Sequence, residues 1–178
     1  VVWEEVLAKL YSLLLIKPSA RTLDLGTGFT TNLKLLLECT PRGHTIWSID
    51  PSPDALRSAE QNFHEHISTG RVKLKQASAE ELPFESNFFD YITSAITFHH
   101  VLDKLTAADE LERVLASDGL GIILDWGRDG AKYSPHTPRQ LQDAKEETLN
   151  AIGQRFNIRT QTETAVYYLA VFEKKMRK

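Results

Sequence analysis

Cysteine is nearly absent from this 178-residue chain: Cys39 stands alone, so neither an internal disulfide nor a thiolate metal cluster can form. That excludes the disulfide-stapled class of small secreted domains and predicts a reducing, cytoplasmic setting. Charge of one sign is lacking as well. The 21 Lys and Arg residues are interspersed with 24 Asp and Glu, for a formal net charge of -3. No broad basic field is left to draw the chain onto nucleic acid or an anionic membrane. The apolar stretch from Val6 to Ile16 is too short to span a bilayer and is interrupted by Lys9. It follows Glu4 and Glu5 rather than a basic segment, and no small-residue cleavage site comes after it, so it reads as a helix and not as a secretion signal. Methionine is scarce too. The chain opens on Val1 and holds a single Met176, from which a trimmed natural N-terminus is expected, together with any lid segment that preceded it. No internal repeat, low-complexity tract or linker interrupts the sequence.

What is present is an ordinary globular composition, 42% hydrophobic and 25% charged, which predicts one domain over residues 1–178. Trp3, Leu7, Leu10 and Leu14 recur at helical spacing, giving an N-terminal helix within residues 1–17 that ends before Pro18. A short apolar run, Thr22 to Leu25, leads into Gly26, Thr27 and Gly28 and then a leucine-rich helix with Thr30, Thr31 or Asn32 as its cap. The next run, Thr45 to Ile49, ends at Asp50 and is followed by Ser52 as N-cap and Pro53 at the first helical position. Arg71 to Gln76 alternates as a third strand, and Phe89 to Ala95 is the continuous apolar run of a central fourth. A helix from about Lys104 to Leu115 precedes a turn at Asp118 and Gly119, and Gly121 to Asp125 reads as a fifth strand. Residues 127–138, rich in Gly, Pro, Tyr and His, form a candidate lid loop ahead of a helix from Gln140 to Arg155. The last segment, Phe156 to Lys174, is β-rich throughout and reads as a hairpin turning near Thr162 to Thr164. The alternation predicts an α/β fold: a doubly wound, mostly parallel seven-stranded sheet with helices on both faces and a C-terminal antiparallel hairpin.

In such sheets ligands bind beyond the carboxyl ends of the strands, where the strand order reverses. Gly26 and Gly28 allow a tight turn and close approach of a ligand to the backbone. Asp50 can accept two hydrogen bonds from a ribose diol, or else cap the helix that follows. Glycines after a strand are equally often a plain turn, and it is Asp24 before them and Asp50 at the next strand's end that favour a nucleoside cradle. The run Leu23-Asp24-Leu25-Gly26-Thr27-Gly28 resembles motif I of the class I methyltransferases, and Ser48 to Pro53 is similar to their post-I segment. Ala77 to Asp90 resembles the segment before strand four in the UbiE-like branch, also called type 11, and Leu115 to Gly121 resembles the turn into strand five. The resemblance runs from Arg21 to the end, the reversed terminal hairpin included. It implies S-adenosylmethionine as cofactor, with Asp24 and the backbone of Gly26, Thr27 and Gly28 facing the methionine part and Asp50 the ribose hydroxyls. Pro51 and Ala79 would sandwich the adenine, with Ser78 at its edge and Ala95 at the end of strand four. Two positions depart from the pattern. Thr30 stands where the family has a third glycine, either crowding the cofactor carboxylate or donating a hydroxyl to it. Ser78 replaces an aspartate and offers only a neutral, weaker hydrogen bond.

The resemblance implies methyl transfer to an unidentified, small-molecule acceptor. That reaction is an in-line displacement, so the protein mainly positions the acceptor and excludes water. An acceptor with a proton to lose needs a general base near the end of strand four or five. His99 is the candidate, with Asp125 ending strand five. His100 reads as a packing residue at the start of the next helix, and Tyr133 and His136 as either lid or solvated loop residues. Ser94-Ala95-Ile96-Thr97 stands where amino-methyltransferases of adenine or glutamine carry Asn/Asp-Pro-Pro-aromatic. Cys39, in the helix after the glycine turn, argues against thiolate chemistry. Carboxylates are not clustered at metal-ligand spacing, so no metal is expected. The alternative is a non-catalytic methyltransferase-like binding module, motivated by Thr30 and Ser78. A nicotinamide-dependent oxidoreductase would need a glycine where Thr31 stands.

Overall fold

The computed structural model describes residues 2–175; Val1 and Met176, on which the expectation of a trimmed start rests, lie outside the described residues. Helix α1 (Val2–Leu14) buries Trp3, Leu7 and Tyr11, and Leu15 one residue past its end continues the stripe. That four-residue spacing is one helix face turned to a core. Seven strands follow: β1 (Arg21–Leu25), β2 (Thr45–Asp50), β3 (Val72–Gln76), β4 (Phe89–Ala95), β5 (Leu115–Trp126), β6 (Phe156–Glu163) and β7 (Tyr167–Lys174). They form one sheet in the order β3-β2-β1-β4-β5-β7-β6. The first five pair in parallel, and β7 runs antiparallel to both β5 and β6. This is the expected doubly wound sheet with its reversed terminal hairpin. β1 is flanked by β2 and β4, so the strand order reverses beside it and a crevice opens at its carboxyl end.

The helices are α2 (Thr31–Cys39), α3 (Pro53–Asn62), α4 (His64–Ser68), α5 (Lys104–Val114) and α6 (Pro138–Arg155). Side chains alternate along each strand and supply two cores. Ile46, Tyr91, Ile122 and Leu124 pack with α1 and α2, while Leu23, Ile49, Ile92 and Ile123 pack with α5 and α6. Among the described residues no helix is long and apolar enough to cross a membrane.

The structure departs from the sequence reading at several ends. The second crossover is broken at Phe63 into α3 and α4. β5 starts at Leu115 rather than Gly121: Leu115 pairs with Phe89 and Leu120 with Tyr91, so the supposed turn at Asp118 and Gly119 is a bulge inside the strand. The hairpin turns at Thr164 to Val166, two residues later than expected. There the Thr164 hydroxyl accepts from the N–H of Val166 (3.2 Å) and Tyr167 (3.0 Å), which closes the turn without glycine. The candidate lid is partly ordered as a 3-10 turn, Arg128–Tyr133, tied down by Gly127 N–H to Val166 O (2.8 Å) and Asp129 N–H to Ala165 O (2.8 Å). Helix α6 starts at Pro138, two residues before the expected Gln140, because Thr137 and Gln140 form a capping box.

Candidate functional site

The glycine turn fills the end of β1, and its two glycines serve different needs. Gly26 has φ +85°, and a Cβ there would lie 2.2 Å from the Thr97 side chain, so this glycine permits close packing of the turn against the β4 exit. Gly28 has φ +43°, and a Cβ there would meet nothing closer than 3.8 Å; its face is open. The N–H groups of Gly26 and Thr27 both donate to Ile49 O, at 2.9 and 3.0 Å, locking the turn to β2. Thr30, the residue in place of a third glycine, keeps a left-handed backbone at φ 65° and caps α2 without any side-chain hydrogen bond. Ile96, just past β4, is left-handed as well, at φ 54°. Two β-branched residues held in this region on either side of the strand-order reversal mark stored strain at the crevice.

Asp50 combines both roles left open by the sequence. Its Oδ2 accepts from Gly28 N–H (3.0 Å) and its Oδ1 from Ser52 N–H (2.8 Å). The carboxylate thus takes over the start of α3, and the Ser52 hydroxyl, the expected cap, makes no capping bond. A carboxylate has about four lone-pair sites, of which two are used, so the half-buried Asp50 retains acceptor capacity.

Asp24 lies underneath. It points into the core that α1 and α2 cover, is wholly buried, and accepts from Asn32 Nδ2 (2.6 Å) and Ser48 Oγ (2.7 Å). Because Ser48 spends its proton on Asp24, the 2.7 Å contact between Thr27 and Ser48 has the Thr27 hydroxyl donating. Tyr11 of α1 donates to Asn32 Oδ1 (2.7 Å), and Thr93 of β4 accepts from Asn32 (3.3 Å). Burial raises the Asp24 carboxyl from 3.8 to about 6, against the hydrogen bonds from Ser48 and Asn32. Burial and the neighbouring Asp24 push the Tyr11 hydroxyl far above its ordinary value. The carboxylate expected to face a ligand is therefore sealed below the turn, because β1 is a central strand covered on both faces. From the sequence Asn32 is only a possible helix cap and Ser48 only the start of the post-I segment, while Tyr11 and Thr93 carry no expectation; the signal of all four is a polar residue at a core-facing position of a helix or central strand.

The other edge of the cradle comes from two segments drawn side by side. Gln76 Nε2 donates to Pro51 O (3.0 Å) and Ala77 N–H to Asp50 O (3.3 Å), which sets the exposed Pro51 beside the stretch holding Ser78 and Ala79, both half-buried. That stretch has little regular structure and is pinned by α5: Arg113 donates to Leu82 O (2.8 Å) and Phe84 O (2.6 Å), and Glu110 accepts from Leu82 N–H (2.7 Å). Ala95 is buried at the end of β4.

Beyond β4 and β5 stands a different kind of site. Asp125, fully buried, accepts from His99 Nδ1, from His99 N–H and from Trp126 N–H, each at 2.7 Å. With Nδ1 donating to a carboxylate, the free Nε2 of His99 is the acceptor. His100 is not a packing residue: it is exposed at the end of a 3-10 turn, Phe98–His100, and Phe98 is the buried one. The His100 imidazole is held below its usual value, first by the partial loss of water around the ring where its neighbours shield it and then by the charges of His99 and His136. His136 returns from the 127–138 segment so that its ring lies 5.0 Å from that of His99 and 5.2 Å from that of His100. Tyr133, in the same segment, is exposed and stacks on Trp126 at 5.8 Å.

A family described as a methyltransferase domain matches residues 23–123, more than half of the chain. The chain belongs to the class I methyltransferase family. Its cofactor class is S-adenosylmethionine. Among relatives, a "Ubiquinone/menaquinone biosynthesis C-methyltransferase UbiE" of Citrifermentans bemidjiense is 31% identical over 108 residues, 61% of this chain and 46% of the relative. An uncharacterised protein of Mycobacterium bovis is 30% identical over 156 residues, 82% of this chain and 55% of its own length. This methyltransferase chain thus spans about half the length of the relatives it matches. In fold, a crystal structure of a SAM-dependent methyltransferase from Aquifex aeolicus superposes with a TM-score of 0.77 at 19% identity, covering 95% of this chain and 88% of that one.

Proposed function

We propose that this chain binds S-adenosylmethionine across the β1–β4 crevice and methylates a small-molecule acceptor whose proton is taken by His99. One arrangement carries the reading: the glycine turn and Asp50 lie beyond β1 and β2, while His99, its ring fixed by Asp125, lies beyond β4 and β5. A nucleoside cradle and a base flank the strand-order reversal. When bound, the cofactor supplies a methyl group on a positively charged sulfur.

The residues present fit that group. The open face at Gly28 leaves room for backbone approach, and the spare lone pairs of Asp50 suit a ribose diol. Pro51 and Ala79 supply apolar contacts for adenine, with Ser78 at its edge and Ala95 below. Thr30 adopts the left-handed backbone that glycine takes most readily, so a threonine here is compatible with the turn. Asp24 acts as a positioning residue, through Ser48 and Thr27 on one side and Asn32 on the other, rather than by touching the ligand.

On the acceptor side, His99 Nε2 takes a proton from an O–H, N–H or acidic C–H as the new bond to carbon forms, and Asp125 holds the ring and stabilises the imidazolium. Phe29 and Leu102, 99% and 94% exposed on the loops after β1 and β4, offer an apolar rim. With a quinone-pathway C-methyltransferase among the relatives, that rim favours an aromatic acceptor. A cytoplasmic setting, inferred from the lone Cys39, belongs to the same reading. The test is to incubate the protein and S-adenosylmethionine with pools of small molecules and follow S-adenosylhomocysteine by mass spectrometry. Acceptor-dependent conversion is expected. Cofactor binding without turnover on any pool would favour the non-catalytic module instead.

A further inference from the structure

The sequence offers no clustered carboxylates and so no expectation of a metal, but the fold gathers imidazoles instead. His99 and His100 leave β4 on a 3-10 turn, and His136 arrives 36 residues after His100 in a segment anchored to the β7 end by Gly127 and Asp129. One ring nitrogen from each lies within 4.8 Å of the other two. We infer that His99, His100 and His136 form a binding site for a divalent transition-metal ion of the zinc class.

Three independent features support this. First, the His99 ring is oriented as metal-bound imidazoles are: Nδ1 sits 2.7 Å from the buried Asp125 carboxylate, which fixes the tautomer, raises ligand basicity and leaves Nε2 to coordinate. Second, His136 Nε2 is shut off from solvent and finds no hydrogen-bond partner among the described residues, the expense that a buried polar atom avoids by bonding to something. An ion would supply that partner. Third, the donor set is chemically selective. Neutral imidazoles suit Zn, Cu, Ni and Co rather than Mg or Ca, and three histidines leave one tetrahedral position open for water or an acceptor oxygen. With metal–nitrogen bonds of about 2.0–2.1 Å, tetrahedral ligand nitrogens lie about 3.4 Å apart, so nitrogens within 4.8 Å of one another close by at most about 1.4 Å. His100 is exposed and can rotate, which makes that closure inexpensive.

This site does not depend on methyl transfer, and it constrains it: an ion on His99 Nε2 occupies the lone pair that proton abstraction needs. Ion-loaded and ion-free protein therefore differ at the base.

Tag-free protein, without S-adenosylmethionine, is titrated with Zn²⁺ by calorimetry and with Co²⁺ by visible absorption. The expected results are one ion per chain, an intense tetrahedral Co²⁺ spectrum and a melting temperature that rises with Zn²⁺, as for any ligand bound only by the native state. His136→Ala and His100→Ala should each weaken Zn²⁺ binding by about a hundredfold or more, beyond the loss typical of an outer partner, while unliganded melting stays near that of the parent. His100 is exposed, so its variant reports even if His136→Ala folds poorly. Absence of one-to-one Zn²⁺ binding, or binding that survives in both variants, would overturn the site. Neither result bears on cofactor binding, which is measured separately.

Discussion

The two sides of the crevice are built by opposite means. On the β1–β2 side, the proposed cofactor site rests on backbone: a turn with one open glycine, N–H groups locked to β2 and a carboxylate at a strand end, braced from below by a sealed chain of hydrogen bonds from Tyr11 to Thr27. On the β4–β5 side the proposed base rests on side chains: Asp125 is fully buried, the His99 ring against it is nearly so, and His136 covers them while His100 is exposed. A cofactor shared across a family suits a rigid, backbone-made cradle. An acceptor that differs between members suits exchangeable side chains, which is why membership of the family points to the cofactor and leaves the acceptor unidentified.

Mutation can sharpen that contrast. The largest effect is expected on the acceptor side: His99→Ala should lower turnover by about a hundredfold or more, the usual size of general-base contributions, with S-adenosylhomocysteine affinity unchanged. Steady-state rates and calorimetry on the same preparation check this, and a parallel loss of cofactor affinity would erase the division between the halves. On the cofactor side, Asp50→Ala should weaken S-adenosylhomocysteine binding by about 1.5–3 kcal/mol, the range for hydrogen bonds to a charged group. It should also loosen Gly28 and Ser52, visible as faster amide exchange there. Unchanged affinity in the folded variant would remove Asp50 from the site.

The buried brace should show in the pH dependence of stability. Burial lifts Asp24 from 3.8 to about 6, so between about pH 4 and 6 the folded chain binds more protons than the unfolded one. Its contribution is greatest below about pH 4 and is lost as pH rises through about 6. Asp24→Asn should therefore flatten the fall in stability across that window in denaturant titrations; an unaltered slope would mean that Asp24 is not the group titrating. The smallest effect is expected at Thr30. Thr30→Gly relieves a left-handed β-branched residue, worth about 1–3 kcal/mol, against a glycine entropy cost of about 0.5–1 kcal/mol. A modest gain in melting temperature should result, and a drop would show that the threonine side chain contributes more than its strain costs.

What could be read from the sequence follows the same division. Gly26, Gly28, Asp50 and the strand ends are local signals, carried by a few consecutive residues whose backbone needs are plain. The brace is not local: Tyr11 reaches Asn32 across 21 residues and Asn32 reaches Thr93 across 61, and nothing near Asp24 shows that α1 will cover it. The histidine cluster is equally hidden, since His136 joins His99 only because the 127–138 segment folds back as an anchored 3-10 turn. An end set by a side chain rather than by glycine or proline also escaped, as at Thr164 in the hairpin, and the local signal of Asp118 and Gly119 does not distinguish a turn from the bulge that lengthens β5.

The central claim is that the crevice beside β1 is a cradle for S-adenosylmethionine. Calorimetry with S-adenosylmethionine, S-adenosylhomocysteine and NAD, run side by side on one preparation, tests it most directly. Saturable one-to-one binding of the two sulfur nucleosides with no heat from NAD is the expected result; no binding of either sulfur nucleoside, or tighter binding of NAD, would contradict it.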